Sequence, residues 1–358
     1  MPAPGRDAEG TDDPEVVAEA PGRVVLVGDH TDHAGGVSLT MAIDRSTTVA
    51  GTPGGKRIVL RSTSVPGAVE LDLGNRPDPT RPLPDWGRLA AAVADEARPA
   101  LGLAGEITST VPVGSGLASS AAFELALALG LGFEGSPLEL ARLGQRAEQR
   151  ALGVPCGLLD QLTAASGVEG HALLLDLSDD SVEPIAMPEG VDVVVVHSGE
   201  TRTLAGSAYA ERRAQCEAAA ALVGPLPAAT PAEVGAIGDS VLRRRARHVA
   251  SECRRVRDAG RALADADVAG FGALMVESHR SLRDDFEVST PTLDQLVERL
   301  TATPGVLGAR LTGAGFGGCV VALCETGAVG DPTAWTGTGW TVRPAQGATV
   351  RRRSAGTS

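Results

Sequence analysis

Lysine is almost missing from this chain: Lys56 is the one lysine in 358 residues, and arginine carries nearly all the positive charge. With abundant alanine and glycine, that reads as the trace of a GC-rich genome rather than of a special chemistry. Basic residues are short overall, with 32 Lys and Arg against 45 Asp and Glu, so the net charge of −13 disfavours a general nucleic-acid binder. No apolar run approaches the roughly 20 residues needed to span a bilayer. The acidic opening, MPAPGRDAEGTDDPE, has no apolar core and is not read as a signal peptide. No CxxC spacing occurs among the five cysteines, which read as reduced thiols of a cytoplasmic protein. No HxxxH pair is present, which argues against a dedicated zinc site, and no GxxxxGK[ST] is present, which excludes a Walker loop.

What the chain does contain is enough apolar residue, 43%, to bury a substantial core, at a length that suggests about two domains. Residues 16–27 are β-branched and apolar and read as a strand entering a glycine turn, followed by a strand from Val37 to Val49. Runs at 57–61 and 68–73 look like edge strands, and 74–85 is a proline-rich loop. Trp86–Ala97 reads as a helix. A strand ending at Val111 leads through a glycine-serine turn into a helix starting near Leu117. Pro137–Leu152 is amphipathic and helical, with Pro where a helix start tolerates it. Strands follow at 171–177 and 191–197, helices dominate 206–300, and a strand–glycine loop–strand closes the chain before a last strand near 346–351. The fold class is α+β in two domains, each pairing a sheet with helices. The expected divisions are a disordered 1–15, domains at 16–180 and 181–350, and a flexible tail at 351–358.

Four polar or glycine-rich patches fall at strand or helix ends: 21–36, 112–121, 155–161 and 312–318. Loops on a rigid scaffold are where chemistry usually sits. The first gathers Arg23, Asp29, His30 and Asp32, which either hydrogen-bond the hydroxyls of a polyol or form a solvated Asx-type turn. In the second, Gly114 and Gly116 let backbone approach a ligand, and the following helix offers free N–H groups and a positive dipole end. Ser119 and Ser120 there either cap the helix or bind a metal. In the third, Asp160 stands in an apolar stretch, either a base beside an arginine or an N-cap. Cys156 reads as a small buried side chain. The glycines from Gly313 to Gly318 form either a tight hairpin or backbone approaching a ligand. Glu148, Trp86 and Tyr209 have plain surface or packing readings as well.

In this order, the four patches resemble the motifs of the GHMP small-molecule kinases, and the galactokinase branch in particular. The signature G-R-V-N-L-I-G-E-H-T-D-Y is similar to Gly22–His33, and P-x-G-x-G-L-S-S-S-A-A to Pro112–Ala122. P-C-G-x-x-D-Q matches Pro155–Gln161, and L-T-G-A-G-F-G-G-C matches Leu311–Cys319 at every position. The resemblance implies a two-domain fold with mixed or antiparallel sheets and an active site in the cleft between them. It implies an ATP- and Mg²⁺-dependent kinase acting on the anomeric hydroxyl of galactose or a related monosaccharide. Asp160 would be the base, kept ionised by Arg23, and Arg23 would also stabilise charge on the γ-phosphoryl group. Asp29, His30, Asp32, Gly157 and Tyr209 would hold the sugar. Gly114, Ser115, Gly116, Leu117, Ser119 and Ser120 would cradle the phosphates, Trp86 would lie near the adenine, and Gly313 and Gly315 would close the cleft. Ser120 and Glu148 would hold Mg²⁺. A monomer or weak homodimer is expected, without nucleic-acid or membrane partners.

The chain departs from the family pattern mainly in the sugar motif: Asp29 stands for Glu, His33 for Tyr, Val25 for Asn and Thr40 for Pro. Asp29 is one methylene shorter, which sets its carboxylate back by about 1.5 Å. The phosphate motif changes only at Ala118. Kinase chemistry is therefore expected, while the sugar is left open between galactose, a derivative altered at C2 or C6, and another hexose or pentose. Two alternatives stand beside it: a non-catalytic sugar and ATP sensor, and a kinase of the wider superfamily acting on a different small alcohol.

Overall fold

A computed structural model of the chain describes residues 15–74, 85–153, 156–200 and 205–353. Residues 1–14, most of the proline-rich loop and 354–358 lie outside them, as does the expectation of disorder at 1–14 and 354–358. Eight strands build the first sheet: β1 (Val16–Val27), β2 (Val37–Pro53), β3 (Arg57–Ser62), β4 (Ala68–Asp72), β5 (Leu103–Ser109), β6 (His171–Asp176), β7 (Ser181–Ala186) and β12 (Thr349–Arg352). Their order is β12-β1-β2-β5-β3-β4, with β6 on β2 and β7 on β6. All pairs are antiparallel except β3 with β5. The helices α1 (Asp85–Ala97), α2 (Ser119–Gly130), α3 (Pro137–Leu152) and α4 (Leu159–Ser166) complete this domain. The second sheet is antiparallel, from β8 (Val191–His197), β9 (Val306–Thr312), β10 (Cys319–Glu325) and β11 (Gly339–Val342) in the order β11-β8-β10-β9. With it go α5 (Ala205–Val223), α6 (Pro231–Ala236), α7 (Ser240–Ala264), α8 (Val268–Ser281) and α9 (Pro291–Thr301).

The two-residue period of β1 explains how the domains share it. Val24 and Leu26 enter a core that continues into the second domain, and Val25 points into the core beneath α2 and α4. Covered on both faces, the second half of β1 is buried without alternation and apolar except at Arg23. Register shifts at Pro21/Arg23 and Val25/Val27 bend the strand against β2 where the site begins.

Two expected boundaries move. β7 pairs with β6, so the first domain runs past residue 180 to the loop near 187–190. Arg351 and Arg352 pair with Val17 and Val16, so the tail expected from 351 is strand at its start. Residue position alone does not reveal that the last strand returns to the first.

A buried polar layer joins the domains. Thr312 Oγ1 accepts from Val25 N and donates to Val25 O, both at 3.1 Å. Glu252 on α7 accepts from Gly28 N at 2.9 Å and from the Ser278 hydroxyl. Burial pushes Glu252 up, but Arg255, His248 and Arg310 together hold it below the usual carboxylate range. His248, fully buried, meets Asp29 O at 3.2 Å through Nε2 and Ser281 Oγ at 2.9 Å through Nδ1, partners that assign the neutral Nε2–H tautomer.

Burial lowers His248 to about 4 from an ordinary 6.5. The unfolded chain therefore binds more protons between these values, and stability is lost as pH falls from about 6.5 to about 4. The contribution is about 3 kcal/mol. Chemical denaturation from pH 7 to 4.5 should show this loss, and His248→Gln should lessen it, the remainder belonging to His30, His33 and His279, which burial also lowers. An unchanged slope in the variant would remove His248 as its source.

Candidate active site

The turn after β1 is fixed before it meets any ligand. Thr31 Oγ1 lies within 2.8–3.0 Å of Gly28 O, Val37 O and Ser38 Oγ, and Ser38 Oγ donates to Gly28 O at 2.7 Å. His30 takes a left-handed backbone at φ 64°. Its ring packs on Phe286 at 4.6 Å and on Tyr209 at 5.7 Å, and its Nε2 is buried without a hydrogen-bond partner among the described residues. Asp29 is held by Arg310 Nη2 at 2.5 Å and by Gly313 N at 2.9 Å. Burial pushes its carboxyl up to about 6, and Arg310 and then Arg23 pull it back.

A cleft of about 310 Å³ lies between the domains. Arg23, Asp29, His30, Asp32, Glu148, Gly157, Asp160, Tyr209 and Gly313 line it, so it gathers residues from all but the second of the patches, and that one reaches it through Arg23. Arg23 is 6% exposed and acts in three directions. Its Nε and Nη2 hold Asp160 Oδ1 at 2.8 and 2.5 Å, and its Nη1 donates to Gly116 O at 2.6 Å. Its own N–H donates to Leu117 O at 3.0 Å, tying the phosphate-type loop to β1. Asp160 lies in the first turn of α4 but is not its N-cap; that residue is Leu158, without a side-chain cap.

The Gly114–Ala118 loop delivers an uncapped helix. Gly114, Gly116 and Ala118 are left-handed at φ 75°, 88° and 59°, and Ala118 as N-cap of α2 has no side chain to satisfy the first amides. Ser115 turns inward to Pro112 O at 2.8 Å. Ser119 and Ser120 open the helix, and Ser120 Oγ donates to Glu148 Oε1 at 2.8 Å. Glu124, one turn further into α2, is fully buried. Burial and the Glu148 charge hold its carboxyl well above the usual range. Gln161 Nε2 lies 2.9 Å from both Glu124 Oε2 and Glu148 Oε2.

Some expected residues lie apart from the cleft. Trp86 donates to Pro66 O at 3.1 Å and meets Phe123 edge-on at 6.2 Å. Gly315 backs onto Val288, where a Cβ would come within 2.4 Å of the carbonyl oxygen. Burial and Glu148 push the Cys156 thiol well up, which disqualifies it as a nucleophile. Sequence reasoning missed Arg310, Glu252, His248 and Glu124, and named Gln161 in its motif without a role. Two carried a signal: Glu124 interrupts the apolar AAFELALAL, and Arg310 stands between Ala309 and Leu311 in an otherwise apolar strand.

A carboxylate gripped by arginine, beside an uncapped helix N-terminus and a second glycine loop, is a constellation that suits a small-molecule kinase. The galactokinase galactose-binding signature matches residues 6–53, the GHMP kinases N terminal domain 87–168, and the GHMP kinases C terminal 261–331. Galactokinase from Homo sapiens is 42% identical over 335 residues, 88% of this chain and 85% of its own length. That from Chloroflexus aggregans is 42% identical over 92% of this chain and 89% of its own. The structure of Lactococcus lactis galactokinase complexed with galactose superposes with a TM-score of 0.87 at 30% identity, covering 94% of this chain and 96% of that one. The chain belongs to the galactokinase family of GHMP kinases.

Gly157 has no room for a side chain, since a Cβ would fall 1.6 Å from Asp32 Oδ2. Gly157→Ala should drive the Asp32 carboxylate aside by about an ångström or more. The melting temperature should barely change. A variant crystal structure with Asp32 unmoved would contradict this packing.

Proposed function

We propose that the chain transfers the γ-phosphoryl group of ATP to the anomeric hydroxyl of galactose or a close relative, giving the sugar 1-phosphate. The observation that carries this is the single guanidinium of Arg23 joining Asp160 to the Gly116 carbonyl, which sets a base beside a phosphate cradle. Phosphoryl transfer asks a protein mainly for positioning, charge neutralisation and an oriented nucleophile. Both Arg23 contacts fall on Asp160 Oδ1, so Oδ2 is the oxygen offered to a hydroxyl. It takes the proton as the hydroxyl attacks phosphorus and the bond to the ADP oxygen breaks. Arg23 lies where charge on the transferred group is stabilised.

Asp29, His30, Asp32, Gly157 and Tyr209 form the sugar wall. Burial raises Tyr209 well above the usual phenol range, so its hydroxyl stays a donor. The free amides of α2, with Gly114–Leu117, Ser119 and Ser120, take the phosphates, and Gly313 and Gly315 belong to the loop opposite. Trp86 we assign to the adenine side.

Mg²⁺ suits the donors present. Among the described residues no group of three or more His, Cys, Asp or Glu could hold a metal. Magnesium characteristically asks for only one or two carboxylates and takes its other oxygens from phosphates and water. Ser120 and Glu148 would hold it, and it would neutralise phosphate charge. The free thiols of Cys156, Cys216, Cys253, Cys319 and Cys324 suit a reducing, cytoplasmic setting, and we place the protein there as a monomer or weak homodimer. Among the described residues no helix is long and apolar enough to cross a membrane.

Asp160→Asn should lower turnover by about 100-fold or more while ATP binding stays near normal. Retained turnover would remove Asp160 as the base. ADP release from MgATP across galactose, galactosamine, N-acetylgalactosamine, galacturonate, fucose, arabinose, glucose and talose should be greatest with galactose or a close relative. ATP and sugar binding with no ADP release from any of them would favour a sensor.

A further inference from the structure

Against the wall of the cleft, which Glu148 and Gln161 line, α2, α3 and α4 meet in a three-residue polar cluster. Gln161 and Glu124 are both 0% exposed, and one amide nitrogen of Gln161 serves Glu124 Oε2 and Glu148 Oε2 at 2.9 Å each. The far oxygen of Glu148 is the one that accepts from Ser120. Room for the cluster comes from Gly144 on α3, where a Cβ would press within 3.1 Å of Gln161 Cγ and Glu124 Oε2. Two buried oxygens, Glu124 Oε1 and Gln161 Oε1, lack a partner among the described residues. Both accept only, so one hydrogen on the 124 side chain would let the carboxyl and amide close into a doubly bonded ring.

From this geometry we infer that Glu124 and Gln161 are positioning residues, a buried carboxyl–amide pair that fixes the rotamer of Glu148 and so the site it shares with Ser120. The inference rests on the reading of Ser120 and Glu148 as the magnesium residues. Gln161 follows Asp160 on α4, so the pair also sets the spacing between that site and the base. A buried polar pair with unmet acceptors is costly, and positioning Glu148 accounts for its presence in an apolar helix.

The test uses the full chain with Gln161→Met, Glu124→Leu, Glu124→Gln and, as reference, Glu148→Gln. Readouts are the apparent Mg²⁺ constant, the KM for sugar, and calorimetric ADP affinity with Mg²⁺ and with EDTA. Gln161→Met and Glu124→Leu should weaken Mg²⁺ dependence and MgADP affinity by about 10- to 100-fold, the usual range for groups that support a metal ligand. The KM for sugar and the metal-free ADP affinity should stay put. Glu124→Gln supplies the missing hydrogen from an amide and should behave like the parent, a rescue that a packing role alone would not distinguish from leucine. Should leucine at 124 unfold the chain, Gln161→Met carries the test, being similar in volume. If Glu148→Gln shifts the Mg²⁺ constant and Gln161→Met does not, the pair does not position Glu148. If Glu124→Gln is as damaging as Glu124→Leu, the ring is wrong. If Glu148→Gln leaves the Mg²⁺ constant unchanged, the magnesium reading beneath it falls, and the inference with it.

Discussion

The hold of Arg23 on Asp160 is the interaction on which the rest of the site depends. A planar guanidinium presents five donors in a fixed fork, so one side chain can define the angle between a carboxylate and a loop carbonyl; an ammonium could not. The buried cation sits on β1, the strand that both domains share, and its position there follows from the same alternation that sends Val25 toward α2. The pair is partly buried, with the Arg23 side chain 7% and the Asp160 side chain 34% exposed, so losing Asp160 leaves a desolvated cation without its partner. The chemistry and the stability of the cleft are thus hard to vary independently.

A second buried layer supports the first from behind. Asp29, which begins the sugar turn, is engaged through both carboxylate oxygens by the second domain, at Arg310 and Gly313. Its carbonyl and the neighbouring Gly28 amide are engaged by α7. A loop satisfied in this way has few alternative conformations. This wall of the cleft is therefore a fixed surface made by two domains rather than a loop waiting to be ordered. The shorter acid at position 29 belongs to this arrangement, since both its oxygens are already hydrogen-bonded.

The elements were legible where local chemistry decides them. Pro137 marks the start of α3, the β-branched apolar run marks β1, and the glycine clusters mark the turns. The four motifs supplied most of the residues that line the cleft. What could not be read were the partners brought in by topology. Arg310 lies 281 positions from Asp29, and Glu252 lies 224 from Gly28, separations at which no periodicity links two residues. The boundaries failed for the same reason: β7 and β12 are short segments whose sheet is chosen by tertiary pairing, not by their own sequence. Trp86 was read from resemblance, and its indole donates to Pro66 O rather than lining the cleft.

The pairing of β12 with β1 has a consequence for how the polypeptide is made. Residues 345–348 run back along the first domain through Ala345 N to Ala42 O, Gly347 N to Gly167 O and Ala348 N to Ala164 O, and only then does the last strand dock beside the first. A ribosome adding 5–20 residues per second would finish β12 on the order of half a minute after β1 emerged. Throughout that interval the outer edge of β1 is an unsatisfied row of amides and carbonyls, of the kind other chains can pair with. Closure of the first domain therefore waits until residue 352 has been made, and a nascent chain stalled before that point carries an open sheet edge.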